Sequence, residues 1–87
     1  MRVGKVIGNV WATKKDMALE GLKLLVVEEL DPKENKIEKT IIAADTVGAG
    51  PGELVILVSG SSARAAIDQH VPVDATVIGI IDELEIY

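Results

Sequence analysis

The stretch Asp45-Thr-Val-Gly-Ala-Gly-Pro-Gly-Glu53, Leu54-Val-Ile-Leu-Val58, Ser59-Gly-Ser-Ser-Ala-Arg64 decides the fold of this chain. Its centre, residues 54–58, is a run of aliphatic residues, which is typical of a buried strand and too short for a helix. A glycine-rich loop precedes the run (residues 45–53, the glycine loop), and a serine-rich segment follows it (residues 59–64, the serine segment). We therefore predict a buried strand whose two flanking loops make the contacts on which function depends.

The glycine loop has the composition of a turn with a defined shape. Gly48, Gly50 and Gly52 permit a positive φ or a close approach of backbones. Pro51 fixes its own φ and keeps Gly50 out of the α region. A dinucleotide-binding loop is disfavoured, because a strand follows instead of a helix, Pro51 removes an amide donor and Glu53 adds a negative charge.

The serine segment predicts a short helix over residues 63–67, with Ser61 or Ser62 as its N-cap. A strand, a loop and a helix N-terminus in this order, with Arg64 nearby, are also typical of an anion site. Two interpretations stay open. The serines cap the helix while Arg64 pairs with a carboxylate, or the segment binds a small anionic ligand.

Apolar and β-branched residues dominate four further stretches of the chain. These stretches predict strands over residues 2–13, 22–30, 37–45 and 75–86. In the last of them, Leu84 and Ile86 alternate with charged residues, so we expect these two side chains to be buried. Five strands with one short helix between the fourth and the fifth predict an all-β fold, a small closed or partly open barrel, in one domain spanning residues 1–87.

The first predicted strand carries apolar residues on both faces. Alternation places Val6, Gly8, Val10 and Ala12 on one face, and Val3, Lys5, Ile7, Asn9 and Trp11 on the other. We therefore expect one face to be buried and the other to contact something else. Gly4 and Gly8 predict bends or bulges. Trp11 is either an interface anchor or a plug of the barrel.

The composition favours a small protein that associates with other chains. Of 87 residues 48% are hydrophobic, which is more aliphatic surface than so small a core can bury, so we expect oligomerisation to cover the excess. The net charge of -5 disfavours binding to nucleic acid. No apolar run reaches the roughly 18 residues of a membrane helix, and no signal peptide is evident. These features predict a cytoplasmic protein that binds neither nucleic acid nor a membrane.

The sequence predicts no catalytic site, no cofactor and no metal. His70 is the single histidine and the chain has no cysteine, so neither a metal site nor a catalytic triad is supported. We interpret His70 as a residue of a surface loop. A solvated face is the simplest interpretation of the clustered carboxylates, which are Glu28, Glu29, Asp82, Glu83 and Glu85.

Several segments in a distinctive order link the chain to a known family. They are Gly4-Lys-Val-Ile-Gly-Asn-Val-Trp-Ala-Thr13, Leu19-Glu-Gly-Leu-Lys-Leu24, Ala44-Asp-Thr-Val-Gly-Ala-Gly-Pro-Gly-Glu53, Ser59-Gly-Ser-Ser-Ala-Arg64, Pro72-Val-Asp-Ala75 and Ile78-Gly-Ile-Ile-Asp82. With them the chain resembles, over essentially its whole length, the pentameric vertex proteins of bacterial microcompartment shells. This family is shared by carboxysomes and ethanolamine-utilisation compartments.

The resemblance implies a five-stranded barrel of the oligonucleotide-binding (OB-like) type that assembles into a homopentamer. It implies a structural role without catalysis, in the shell of a cytoplasmic microcompartment, with hexameric shell proteins as partners. The nucleic-acid binding common in such barrels is not transferred, because basic grooves and stacking aromatics are missing. A module that binds a small ligand or anion through the serine segment is the alternative.

The resemblance also assigns the two loops to subunit contacts or to the central opening of the ring. Arg64 is expected to pair with Glu53 or Asp45 of the same or an adjacent subunit. The residues expected at these contacts are Asp45, Gly48, Ala49, Gly50, Pro51, Gly52, Glu53, Ser59, Gly60, Ser61, Ser62 and Arg64.

Overall fold

A computed structural model describes residues 1–13, 15–68 and 70–87 of the chain. The strands are β1 (Arg2–Val10), β2 (Lys23–Leu30), β3 (Lys36–Asp45), β4 (Leu54–Ser59) and β5 (Ala75–Ile81). One helix, α1 (Ser61–Ala65), lies between β4 and β5, and a turn of 3₁₀ helix (Met17–Leu19) lies between β1 and β2. The predicted all-β fold, with its helix between the fourth and fifth strands, is confirmed. No helix among the described residues is long and apolar enough to cross a membrane.

The strands close into a barrel in the order β1-β2-β3-β5-β4. Neighbouring strands are antiparallel except for β3 and β5, which are parallel. The β3–β5 seam is short, since it pairs Ala44 with Thr76 and Asp45 with Val77. Within the β2–β3 hairpin, the part of β3 that precedes Ala44 is therefore paired on one side only, with β2.

Apolar side chains form one cluster inside the barrel and a second cluster outside it. The inner cluster is Val6, Leu25, Val27, Ala43, Ala49, Val55, Leu57, Ala75 and Val77. The outer cluster lies under α1 and the connection to β5, and consists of Ala44, Val58, Ala63, Val71 and Val73. Because Leu57 faces inward and Val58 faces outward, β4 is buried on both faces there, which explains why its sequence is apolar without alternation.

A bulge in β1 changes which face its residues occupy. The pairing with β2 shifts between Val6 and Gly8, as predicted for Gly8, and Ile7 is the extra residue. Val6 pairs with Val27 inside the barrel, whereas Gly8 pairs with Val26. Because Val26 lies between two core residues of β2, it points outward, and so does its partner Gly8. The prediction that Val6 and Gly8 share a face is therefore wrong.

The bend or bulge predicted at Gly4 is absent, because its strand pairing is regular. A Cβ there would instead lie 3.0 Å from the Leu57 Cδ1 and still closer to the Val27 Cγ1. Glycine is required at this position because the barrel interior leaves no room for a side chain.

Two predicted strands end earlier than expected. β1 ends at Val10, and Trp11 is 90% exposed, so it does not plug the barrel. β5 ends at Ile81, which pairs with Leu54 at the start of β4. Beyond that point β4 offers no further partner, so Leu84 and Ile86 are exposed and the prediction that they are buried is wrong.

Candidate assembly surface

The first half of the glycine loop is held by the carboxylate of Asp45. Its Oδ1 accepts hydrogen bonds from the N–H groups of Val47, at 3.0 Å, and Gly48, at 3.2 Å, and its Oδ2 accepts one from Ala49, at 2.9 Å. The Nζ of Lys23 donates to the carbonyl of Ala49 at 3.1 Å, and Ala49 is fully buried. Asp45 thus organises its own loop.

The second half of the glycine loop is fastened to β1. The N–H of Gly52 donates to the carbonyl of Val6 at 2.8 Å, and the N–H of Val6 donates to the carbonyl of Glu53 at 3.0 Å. The Glu53 carboxylate accepts the N–H of Gly50, and Gly52 has φ +80°. The predicted turn of defined shape is therefore confirmed.

The serine segment differs from the expected cap. The residue that precedes α1 is Gly60, with φ 63°, and its N–H donates to the carbonyl of Asp74 at 3.0 Å. Ser61 and Ser62 are the first two residues of the helix, and within the described part of the chain neither side chain caps it. The predicted serine N-cap is wrong because the turn out of β4 requires a positive φ, which glycine adopts more readily than serine.

Arg64 does not reach either carboxylate that we expected to pair with it in the same subunit. Its Nη1 donates to the carbonyl of Val73 at 3.4 Å, and among the described residues it forms no ion pair with Glu53 or Asp45. The reason is that the two loops lie at opposite ends of β4, about 17 Å apart at the usual rise per residue. Pairing with an adjacent subunit stays a prediction.

The carboxylate cluster is not uniformly solvated. Glu29 is 6% exposed, and its Oε1 accepts a hydrogen bond from the Nη1 of Arg2 at 2.8 Å. The sequence interpretation is wrong for this residue, because it pairs with Gly4 at an inward-facing position and Arg2 compensates its charge. His70 is exposed, as predicted, and its N–H donates to Asp68. The described residues contain no group of three or more side chains that could hold a metal ion.

Shifted pKa values occur in exposed segments far from the two loops in sequence. The N–H of Asn35, followed by that of Lys33, lowers the pKa of Asp31 in the β2–β3 turn. The hydroxyl of Tyr87 donates to the Glu85 carboxylate at 2.6 Å, which raises the pKa of Tyr87. Each shift follows from a local hydrogen bond and does not indicate acid–base chemistry.

An apolar groove (the groove) lies on the outside of the barrel, where β1, β4 and β5 adjoin the β2–β3 hairpin. Its volume is about 590 Å³, and its lining includes Val3, Leu30, Ile37, Ile56, Ile81 and Leu84. Val3 pairs with both Leu30 and Ile56, so these three side chains share one face. Sequence reasoning expected the face of the first strand that carries Val3 to contact something else, but it did not identify the groove, because most of the lining comes from the other strands.

Large apolar side chains are exposed elsewhere on the chain too. They include Ile7 (50%), Trp11 (90%), Met17 (84%), Ile42 (47%) and Ile86 (53%). Exposed apolar area on this scale is typical of a surface that binds another protein. The surface therefore fits association better than it fits chemistry on a small substrate.

Comparisons with known proteins agree with this arrangement. The family model described as "Ethanolamine utilisation protein EutN/carboxysome" matches residues 1–82. The chain is 49% identical to the bacterial microcompartment shell vertex protein GrpN of Rhodospirillum rubrum, over 98% of this chain and 97% of that one. It is 46% identical to the carboxysome shell vertex protein CcmL of Synechococcus elongatus, over 99% and 88% of the two chains.

A solved structure of GrpN from Rhodospirillum rubrum, described as a pentameric microcompartment shell protein, superimposes with a TM-score of 0.93 at 48% identity and covers 100% of both chains. The fold, the length and the sequence therefore agree over the whole chain. This chain belongs to the EutN/carboxysome family, whose curated relatives are shell vertex proteins of bacterial microcompartments.

Proposed function

We propose that this chain is a structural subunit of a bacterial microcompartment shell and that five copies close into a ring at each five-fold vertex. The observation that carries the proposal is the full-length similarity, in sequence and in backbone, to a pentameric shell protein.

The exposed apolar surface gives a physical reason for the ring. A flat layer of hexagonal tiles does not close, and five-fold tiles supply the missing curvature. A ring uses a heterologous interface, in which one surface of a subunit meets a different surface of the next. The groove and the exposed apolar side chains outside it supply two such surfaces, and burying them would remove the apolar area that the barrel leaves in water.

A role without catalysis accords with the residues at the two loops. Asp45 and Glu53 are occupied with backbone N–H groups of their own loop, and His70 is in an exposed turn. The relatives carry the names of shell vertex proteins. We therefore infer that the chain is not an enzyme, that its partners are itself and hexameric shell proteins, and that it resides in the shell of a cytoplasmic compartment.

The glycine loop and the serine segment remain our candidates for subunit contacts or for the rim of a central opening. The glycine loop supports this role by its hydrogen-bonded shape and by its three glycines, which allow a neighbouring backbone to approach closely. The serine segment presents the exposed hydroxyls of Ser61 and Ser62 on a helix that is anchored from below, since the Oγ1 of Thr76 donates to the carbonyl of Ala63 at 2.7 Å.

Native mass spectrometry over a dilution series tests the proposal. Five copies of the 9.2 kDa chain give a species of about 46 kDa, which we expect to survive dilution. Mixing the ring with hexameric shell proteins should then yield closed particles in electron micrographs, whereas omission of the ring should leave sheets or open tubes. A monomer at every concentration would refute the proposal, and a stable ring that never changes the shape of the assemblies would refute the vertex role.

A further inference from the structure

Part of the lining of the groove comes from a bulge in β3 whose backbone is strained. In the hairpin Glu28 pairs with Thr40, but Leu30 pairs with Lys36, so β3 contains extra residues opposite β2. Within this bulge Glu38 has φ 60°, a left-handed conformation that a residue with a side chain rarely adopts. The neighbouring Ile37 is 47% exposed and lines the groove. A strained bulge that brings an isoleucine to an apolar groove suggests that the groove has an occupant.

The charges around the groove indicate the chemistry of that occupant. Of the described residues that line it, Arg2 is the only basic one, and it is paired with Glu29. Asp31 and Glu83 also line the groove, so its rim keeps a negative charge even when the α-amino group of Met1, which lines it too, is counted. An occupant that is apolar with basic neighbours is therefore favoured, and an acidic segment of a partner is disfavoured.

The segment that follows β1 has these properties. Trp11 is 90% exposed and Met17 is 84% exposed. In the sequence two lysines, Lys14 and Lys15, stand between them against a single carboxylate, Asp16. Tryptophan is among the residues that most often dominate the binding energy of an interface. Trp11 is therefore the candidate anchor for an apolar groove with an acidic rim.

The geometry of β1 excludes the groove of the same copy. Val3 lines the groove at the start of β1, whereas Trp11 directly follows Val10 at its end, about 25 Å away at the usual rise per residue. Val10 is paired with Leu24 of β2, which holds Trp11 at that end of the barrel. Two complementary surfaces at opposite ends of one strand are what a heterologous contact between copies requires.

We infer that Trp11 of one copy fills the groove of the next copy in the ring. This inference rests on the proposed function, because it assigns the two faces of the contact between subunits. Of the two roles that the sequence analysis considered for Trp11, an interface anchor or a plug of the barrel, this inference assigns it the first.

The first test compares Trp11→Ala with Tyr87→Ala by native mass spectrometry over a dilution series. Tyr87 is the matched control, because it is an aromatic residue that is fully exposed and lies outside the inferred contact. We expect Trp11→Ala to raise the concentration at which half of the ring dissociates by about tenfold or more, and Tyr87→Ala to leave it within about twofold. A Trp11→Ala ring as stable as the parent ring would overturn the inference and leave the proposed function standing.

The second test locates the contact by crosslinking between introduced cysteines. Because the sequence contains no cysteine of its own, only the introduced thiols react. Ala12→Cys chains are mixed with Ile37→Cys chains, or with Ile42→Cys chains as the control, and treated with a flexible bismaleimide. Ile37 and Ile42 are both in β3 and both 47% exposed, but the first lines the groove and the second does not. We expect at least about fivefold more heterodimer with Ile37→Cys. Equal yields in a ring that has formed would overturn the inference, and a parent chain that forms no ring would overturn it together with the proposed function.

Discussion

Gly4 allows the packing of the barrel interior to be tested by adding a single methyl group. In Gly4→Ala the new Cβ would lie 3.0 Å from the Leu57 Cδ1, 3.2 Å from the Glu28 carbonyl oxygen, and still closer to the Val27 Cγ1. Val27 and Leu57 are at most 1% exposed and belong to the inner cluster, so neither has free space into which to move. The methyl group therefore forces an adjustment of the core.

The expected magnitude follows from two opposing terms. Overpacking of a well-packed core costs about 1–3 kcal/mol. Replacing glycine lowers the entropy of the unfolded chain and returns about 0.4–1 kcal/mol. We therefore expect Gly4→Ala to lower the free energy of unfolding by about 1–2 kcal/mol. For a chain of this size each kcal/mol corresponds to a fall of about 4–8 °C in the melting temperature.

Gly8→Ala is the matched control, since it is the same substitution in the same strand on the outer face. Its Cβ would lie 3.6 Å from the Val26 Cβ and Cγ2, an ordinary contact. Only the entropic term remains, so Gly8→Ala should be neutral or stabilising by up to about 1 kcal/mol. Both variants are measured by urea unfolding at one fixed protein concentration, because assembly would otherwise contribute to the apparent stability.

Adding Val27→Ala to each variant removes the Val27 Cγ1, the nearest of the three atoms that the new methyl group at position 4 would meet. If the clash is the cause, Gly4→Ala should cost less in the Val27→Ala background, by at least about 1 kcal/mol, whereas Gly8→Ala should be unaffected. Equal effects of Gly4→Ala and Gly8→Ala in the parent chain would refute the reasoning about interior packing.

Two further predictions concern the loops. Asp45→Ala removes the acceptor of three N–H groups, so we expect the amides of Gly48 and Ala49 to exchange hydrogen at least about tenfold faster; exchange at the parent rate would contradict the role of this carboxylate. Hydrogen bonds from the N–H groups of Asn35 and Lys33 lower the pKa of Asp31 below its usual value of 3.8. These bonds should therefore stabilise the turn fully above pH 3.8. The stabilisation should disappear as the pH falls through the lower pKa of the folded state. An NMR titration that follows the Asn35 amide should therefore show a midpoint below pH 3.8, and a midpoint at or above it would contradict the prediction.

Strand positions were predictable from the sequence where turn residues bound them. β2, β3 and β4 begin and end within one residue of the predicted bounds, because Gly21, the Pro32 turn and the glycine loop interrupt the apolar pattern at their ends. The ends of β1 and β5 were not predictable in this way. β5 ends opposite the first residue of β4 and β1 ends opposite the second residue of β2, so both ends depend on the strand pairing of the barrel and not on the local sequence.

Face assignments failed where a bulge intervenes. The extra residue Ile7 reverses the alternation of β1, and the bulge around Glu38 brings Ile37 to the groove. Gly8 indicated the bulge in β1 but not that Ile7 is its extra residue, and no glycine marks the bulge around Glu38, so composition did not show which face the neighbouring residues occupy. Glu29 was assigned to solvent for a related reason, since its position opposite Gly4 becomes clear only when the register of β1 and β2 is known.

The alternation of inward and outward side chains on β4 explains why the chain has more aliphatic residues than its own core can bury. On β4 the inward Val55 and Leu57 complete the barrel interior and the outward Val58 lies under α1, so each has a role within one subunit. Ile56 points outward at the groove, where nothing in the described chain covers it fully. An alternating polar residue at this position would give a better monomer, because it would place no apolar surface in water. The apolar residue at this position, together with exposed Trp11, therefore supports our inference that apolar surface of this chain is buried between subunits.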